Sequence, residues 1–348
     1  MKKGLVPIAE ITRFDAIIDA RSPAEFAEDH IPQAHNLPVL DNEQRRIVGT
    51  IFKQRSAFEA KRIGSAMVAA NLARHIEQCF QDKPKDWRPL VYCWRGGLRS
   101  ASFVSWLRMV GWDACQLEGG YKSWRRHVIV QLENLPPTLE LRVIAGPTGS
   151  GKTRVLEALA GLGEQVIDLE ALAAHKGSVL GALPTREQPS QKSFETALHA
   201  CLAQLDPQRP IYIEAESRKI GRLHLPAALV QTMRAAPCVH IEASRTARLD
   251  FLLRDYAYLG DDPAYLQARI DRLSGLQSKA RLEHWKQLAA ARALPELFEA
   301  FIDQHYDPLY KRSQQHNYLN FTNAGRIETS DLSPAGIVEL ARAIVAGA

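Results

Sequence analysis

The 348-residue chain is long enough for two ordinary domains, each with its own core. Its apolar and charged fractions, 46% and 24%, sit at the globular average and exclude a disordered or collagen-like chain. A net charge of +5 is too mild to establish a nucleic-acid partner by itself. No apolar run reaches the ~20 residues that a bilayer span needs. The opening MKKGLVPIAEITRFD places acidic residues where an export signal would hold its apolar stretch. These readings predict a soluble, cytoplasmic protein with no membrane partner. Five cysteines without a CxxC pair fit a reducing compartment and suit neither a zinc site nor a disulfide framework.

In chain order, residues 16–19 (AIID) read as a short buried strand ending at a carboxylate, and residues 89–92 (PLVY) as a second that runs into Cys93. Over residues 100–110, Phe103, Val104, Trp106, Leu107 and Val110 recur at helical spacing, with Gly111 as the stop. Residues 115–117 give another extended piece. Pro136 and Pro137 interrupt the pattern, so residues 127–139 read as a linker and the domains as 1–133 and 134–348. Beyond it, residues 141–145, 165–168, 211–214 and 239–242 read as strands, and residues 243–300 as long helices rich in Arg and Lys. Strands alternating with helices predict an α/β fold with mainly parallel sheets and a helical C-terminal part.

Residues 146–153, GPTGSGKT, match G-x-x-x-x-G-K-[ST] at every fixed position. Gly146, Gly149, Ser150 and Gly151 let backbone N–H groups turn around phosphate oxygens. Lys152 supplies a point charge, and the Thr153 hydroxyl can ligate Mg²⁺. The apolar strand before the loop and the helical pattern after it are the context a phosphate loop needs. Asp168, Glu214 and Glu216 are candidates for a metal-positioning or acid–base carboxylate. Each reads equally well as a solvated strand-end group, and the metal stays open.

Residues 93–100, CWRGGLRS, join a strand to a helix. Converging N–H groups, a helix N-terminus, Arg95 and Arg99 all favour an anion there, so Cys93 is expected to be a nucleophile. A buried packing cysteine would leave two glycines and two arginines unexplained. Residues 19–26 (DARSPAEF) and 30–38 (HIPQAHNLP) resemble the first signature of a rhodanese domain. The Cys93 loop and residues 117–124 (LEGGYKSW) resemble its active loop and closing signature. The resemblance implies a rhodanese-like domain that carries sulfur or selenium on Cys93. Arg99 lies six positions after the cysteine, one more than in many rhodaneses, and the longer loop suits a phosphate-bearing donor.

Together with residues 190–195 (SQKSFE) and 216–221 (ESRKIG), the pairing resembles the bacterial tRNA 2-selenouridine synthases, a rhodanese-like domain followed by a P-loop NTPase-like domain. The resemblance implies S-geranylation of wobble (U34) 2-thiouridine by geranyl diphosphate, then selenation by selenophosphate through Cys93. It implies Lys-, Glu- and Gln-type tRNAs as partners, a selenophosphate synthetase as supplier, and no tightly bound cofactor, with Mg²⁺ open. Arg218, Lys219, Arg245, Arg248 and Arg254 are candidate tRNA contacts, interleaved with Tyr256, Tyr258 and Trp285. The competing reading is a P-loop kinase of a small molecule or nucleotide with a regulatory rhodanese- or phosphatase-like domain.

Overall fold

The computed structural model describes residues 4–178, 181, 186–310, 312 and 324–347. The chain divides into two units, Met1–Gln131 with Ser190–Ala197, and Leu132–Pro189 with Leu198–Ala348.

The first unit is built on a five-stranded sheet of β1 (Leu5–Val6), β2 (Ala16–Asp19), β3 (His35–Asn36), β4 (Pro89–Tyr92) and β5 (Cys115–Leu117). The order is β1-β5-β4-β2-β3 and every pairing is parallel. All four residues of β4 are buried, as expected for a central parallel strand covered on both faces. Helices α1 (Pro23–Glu28), α2 (Asn42–Gln54), α3 (Ala57–Cys79), α4 (Leu98–Val110) and α5 (Tyr121–Asn134) complete the chain up to the prolines. Ile18, Val91, Phe103, Leu107 and Trp112 form its core. Helix α4 ends where Gly111 adopts φ 114°, the left-handed cap that glycine takes at least cost.

Residues 127–139, expected to be a linker, are instead helical as far as Asn134, followed by a 3₁₀ turn at Pro136–Thr138. The prolines stop the helix; they do not unwind the residues before it.

The second unit carries a parallel sheet ordered β12-β11-β6-β8-β7. Its strands are β6 (Leu141–Ala145), β7 (Gln165–Ile167), β8 (Ile211–Glu214), β11 (Cys238–Ala243) and β12 (Gly325–Thr329), with a small antiparallel pair, β9 (Lys219–Ile220) and β10 (Leu223–His224). The helices are α6 (Lys152–Gly161), α7 (Leu169–Ala173), α8 (Gln191–Leu202), whose residues up to Ala197 belong to the first unit, α9 (Ala227–Ala235), α10 (Arg245–Asp255), α11 (Pro263–Asp271), α12 (Lys279–Ala290), α13 (Leu294–Phe301) and α14 (Pro334–Ala346). Val155, Leu156 and Leu159 of α6 share a core with Ile337, Leu340 and Ile344 of α14. A second core, centred on Trp285, joins α10 to α13. Among the described residues no helix is long and apolar enough to cross a membrane.

Candidate active sites

Cys93 stands at the carboxyl end of β4, the middle strand of its sheet, where open α/β sheets place their ligands. It is 3% exposed. Its Sγ accepts from the Gly97 N–H at 3.2 Å and from the Ser100 hydroxyl at 3.1 Å. Gly97 is the N-cap of α4, so the sulfur sits at the positive end of that helix. Gln116 Nε2 donates to Ser100 Oγ at 2.8 Å and to the Gly97 carbonyl at 3.1 Å. Ser100 is therefore held within donating distance of both the sulfur and the Gly97 carbonyl, at 3.1 and 3.3 Å.

The closing signature wraps this loop. Tyr121 N–H donates to the Cys93 carbonyl at 2.8 Å. Gly120 has φ +59°, and a Cβ there would lie 2.2 Å from the Cys93 carbonyl oxygen. Only glycine satisfies both the conformation and the approach.

Arg99 makes a two-pronged pair with Glu25, at 2.7 and 3.2 Å. Burial pushes the Glu25 carboxyl up, and the Arg99 hydrogen bond and charge more than offset it, leaving it below its ordinary value. Arg95 is exposed. Trp94 stacks on Tyr121 with ring centroids 5.3 Å apart, and the Lys192 ammonium lies 5.8 Å from the Trp94 ring. Lys192 belongs to Ser190–Ala197, the later segment that is part of this unit. Buried Asp29 anchors that segment, accepting from Tyr121 Oη at 2.7 Å and Thr196 Oγ1 at 3.1 Å, and Arg125 pairs with Glu195.

The phosphate loop leaves β6, the middle strand of the second sheet. Lys152 Nζ donates to the Gly146 carbonyl at 2.9 Å, so the ammonium is folded over the loop. Gly149 and Gly151 have φ +83° and +75°, and Cβ atoms there would meet Leu252 Cγ at 3.0 Å and Ile337 Cδ1 at 2.9 Å. Ser150 is fully buried, and its hydroxyl has no hydrogen-bond partner among the described residues.

A carboxylate cluster adjoins the loop. Thr153 Oγ1 lies 2.8 Å from Glu170 Oε2 and 3.3 Å from Glu214 Oε2. The Glu170 N–H donates to Glu214 at 2.9 Å. Burial and repulsion from Glu216 push Glu170 up to about 7, against the pull of Thr153 and Lys152. Glu214, fully buried, is driven well above its ordinary value by burial and then by Glu170 and Glu216. Burial raises Glu216, with Lys152 opposing. Asp168 is raised by burial and caps α7 by accepting from the Ala171 N–H at 2.7 Å. Among the described residues no group of three His, Cys, Asp or Glu side chains is arranged to hold a metal ion. Mg²⁺ on a diphosphate typically takes only one or two protein oxygens, and Thr153 with Glu170 or Glu214 supplies that number.

Comparison with known proteins bears on both sites. The rhodanese-like domain pattern matches residues 8–127, and the tRNA 2-selenouridine synthase AAA domain pattern matches residues 139–265. A tRNA 2-selenouridine synthase of Alcanivorax borkumensis is 33% identical over 343 residues, covering 89% of this chain and 91% of that one. The chain belongs to the tRNA 2-selenouridine synthase family. The family member of Marinobacter nauticus is 33% identical over 324 residues, covering 84% of this chain and 87% of its own. That of Nitrosomonas europaea is 36% identical over 244 residues; the match takes in 69% of this chain and 63% of its length.

Within this family member the basic residues proposed for tRNA divide by environment. Arg218 and Lys219 are exposed on and beside β9. Arg245 is exposed and pairs with Asp303 at 2.8 Å. Arg254 is exposed, donates to the Leu332 carbonyl and lies over Phe251 at 5.6 Å. Arg248 differs from expectation. It is 6% exposed, donates from Nε to the Thr148 carbonyl at 2.9 Å and clasps Asp307 at 3.0 and 2.6 Å. A guanidinium so enclosed braces the phosphate loop and offers nothing to an RNA surface. Trp285 is likewise withdrawn from stacking on a base: it is 0% exposed and packs edge-on against Phe301 at 4.9 Å.

Sequence reasoning missed Glu170, Ser100 and Gln116 as parts of these sites. For Ser100 a signal existed: it is the last residue of the loop itself, one turn into the helix that faces the sulfur.

Proposed function

We propose that the chain converts wobble 2-thiouridine in tRNA to 2-selenouridine in two stages, one at each site. Geranyl diphosphate lies with its diphosphate on the Gly146–Thr153 loop. The thiocarbonyl sulfur of the base attacks the allylic carbon, the carbon–oxygen bond breaks, and pyrophosphate leaves. Lys152 and the loop N–H groups offset the charge that grows on the leaving group. The Cys93 thiolate then attacks the phosphorus of selenophosphate and releases selenide, which adds to C2 of the uracil and expels geranylthiol, and water hydrolyses the phosphocysteine to free phosphate.

Ser100 and Gly97 stabilise an anion on the Cys93 sulfur through hydrogen bonds of 3.1 and 3.2 Å. Arg95, exposed on the same loop, is the cation available to the donor's phosphate, because Arg99 is engaged by Glu25. Mg²⁺ bound by Thr153 and an adjacent glutamate would add charge neutralisation on the diphosphate. The tRNA partners are those with Lys-, Glu- and Gln-type anticodons, the exposed Arg218 and Lys219 contribute to the phosphate-backbone contact, and the reaction is cytoplasmic.

The observation that carries this reading is the pairing of a hydrogen-bonded cysteine loop with a complete phosphate loop in one chain that matches its relative over 343 residues. The test is to incubate the protein with 2-thiouridine tRNA and geranyl diphosphate, with and without selenophosphate, and to analyse the nucleosides by mass spectrometry. Geranylated nucleoside alone, giving way to selenouridine when selenophosphate is added, is the expected result. Unchanged tRNA under both conditions rejects the proposal and makes ATP-dependent phosphoryl transfer the next activity to assay.

A further inference from the structure

The phosphate loop opens into a cavity of about 580 Å³ within the second unit, in the size range of small-ligand sites. Besides the loop it has a charged side, which includes Glu170, Lys176, Arg186 and Glu216, and a wall formed by Phe251, Tyr256, Tyr306, Leu309 and Tyr310. The apolar surface begins at the loop itself, since a Cβ on Gly151 would lie 3.5 Å from the Phe251 ring and one on Gly149 3.0 Å from Leu252. Arg248 fixes the spacing between loop and wall. Its hydrogen bonds to Thr148 and Asp307 tether the helical segment 302–310 that presents Tyr306, Leu309 and Tyr310.

A ligand filling this cavity meets an anion site continuous with an apolar one. Several polar groups along the wall are engaged. Asp255 is held by Arg154 at 2.7 Å and by Lys176. His305 Nδ1 is bonded to Gln277 at 2.9 Å, and the Tyr310 hydroxyl to His240 at 3.1 Å. Among the described residues that line the cavity, His175 Nδ1 is the buried side-chain atom left without a partner. A hydrocarbon chain needs apolar side chains to lie against, and Phe251, Leu252 and Leu309 supply them beside the aromatic rings. Leu309, 46% exposed, is apolar surface that a chain would cover.

We propose that this wall holds the apolar chain of the allylic diphosphate whose head lies on the loop, and that Tyr256, Tyr306 and Leu309 set the chain length accepted. The inference rests on the geranyl diphosphate reading and adds where the chain lies. Calorimetric titration of the whole protein with pyrophosphate, dimethylallyl diphosphate, geranyl diphosphate and ATP tests it, with Leu309→Trp alongside wild type and a thermal melt to confirm that the variant is folded. For wild type, geranyl diphosphate binds more tightly than dimethylallyl diphosphate. Its binding also has the more negative heat-capacity change, the mark of apolar burial. In Leu309→Trp, geranyl diphosphate affinity falls by about tenfold while pyrophosphate affinity stays within about twofold.

If Leu309→Trp binds geranyl diphosphate as wild type does, or loses both ligands in parallel, the chain lies elsewhere and the geranylation reading still stands. If wild type gains nothing from the chain over pyrophosphate and binds ATP instead, the geranylation reading itself fails, and the wall is a nucleoside platform.

Discussion

Glu170 gives a prediction that can be worked through in sign and size. Its carboxyl meets the Thr153 hydroxyl at 2.8 Å and shares its surroundings with Glu214 and Glu216, and burial followed by the charge of Glu216 raises it from 4.5 to about 7. A carboxyl raised on folding keeps a proton that the unfolded chain has released. Stability is then fully present below the unfolded value and declines as pH rises through the window from about 4.5 to about 7. At 1.36 kcal/mol per unit the decline amounts to roughly 3 kcal/mol. Glu170→Gln keeps the shape and an acceptor for Thr153 but never ionises. The stability advantage of the variant over wild type should therefore be near zero at pH 5 and grow to about 3 kcal/mol by pH 8. Amide exchange in β8, corrected for its intrinsic pH dependence and measured in EDTA, reads the opening free energy of this region. An advantage that is constant with pH, or that shrinks as pH rises, would refute the reasoning.

Three further substitutions address the other parts of the account. Arg248→Met strands Asp307 and the Thr148 carbonyl, and should destabilise the second unit by about 3 kcal/mol and weaken pyrophosphate binding, read by denaturation and by titration. Ser100→Ala removes the 3.1 Å hydrogen bond to Cys93, worth about 1 kcal/mol, so alkylation of Cys93 by iodoacetamide at pH 7 should slow by about fivefold. Gly120→Ala drives a methyl group onto the Cys93 carbonyl; selenouridine formation should be lost while geranylation persists, both counted in the nucleoside digest.

Both loops could be read directly from the sequence because each is a contiguous run whose chemistry depends on near neighbours. The strands feeding them were legible for the same reason: β4 and β6 are short, largely apolar runs, the pattern of parallel strands buried on both faces. What stayed hidden depends on contacts between distant residues. Glu170 sits three residues beyond the end of β7, and its role comes from packing against Thr153, seventeen positions earlier. The motif at residues 190–195 is visible as a string, yet nothing in it announces that it joins the first unit, because that follows from Asp29 and Arg125 far upstream. Arg248 and Trp285 were misassigned for a related reason. A charge or an aromatic ring in a helical stretch looks the same whether it faces water or a core, and here both face inward. The pairing of β12 with β11 comes after a long intervening stretch and had no periodic signal of its own.

The division of labour between Cys93 and Lys152 is the centre of the account, and supplying each half-reaction separately tests it most directly. Cys93→Ala and Lys152→Ala would each be given 2-thiouridine tRNA with both co-substrates, and then tRNA already geranylated, with selenophosphate. The account predicts that Cys93→Ala accumulates the geranylated nucleoside from the first substrate and leaves the second unchanged. Lys152→Ala should leave the first substrate untouched and convert the second to 2-selenouridine. Selenouridine formed by Cys93→Ala, or a Lys152→Ala protein that fails on geranylated tRNA while remaining folded, would contradict it.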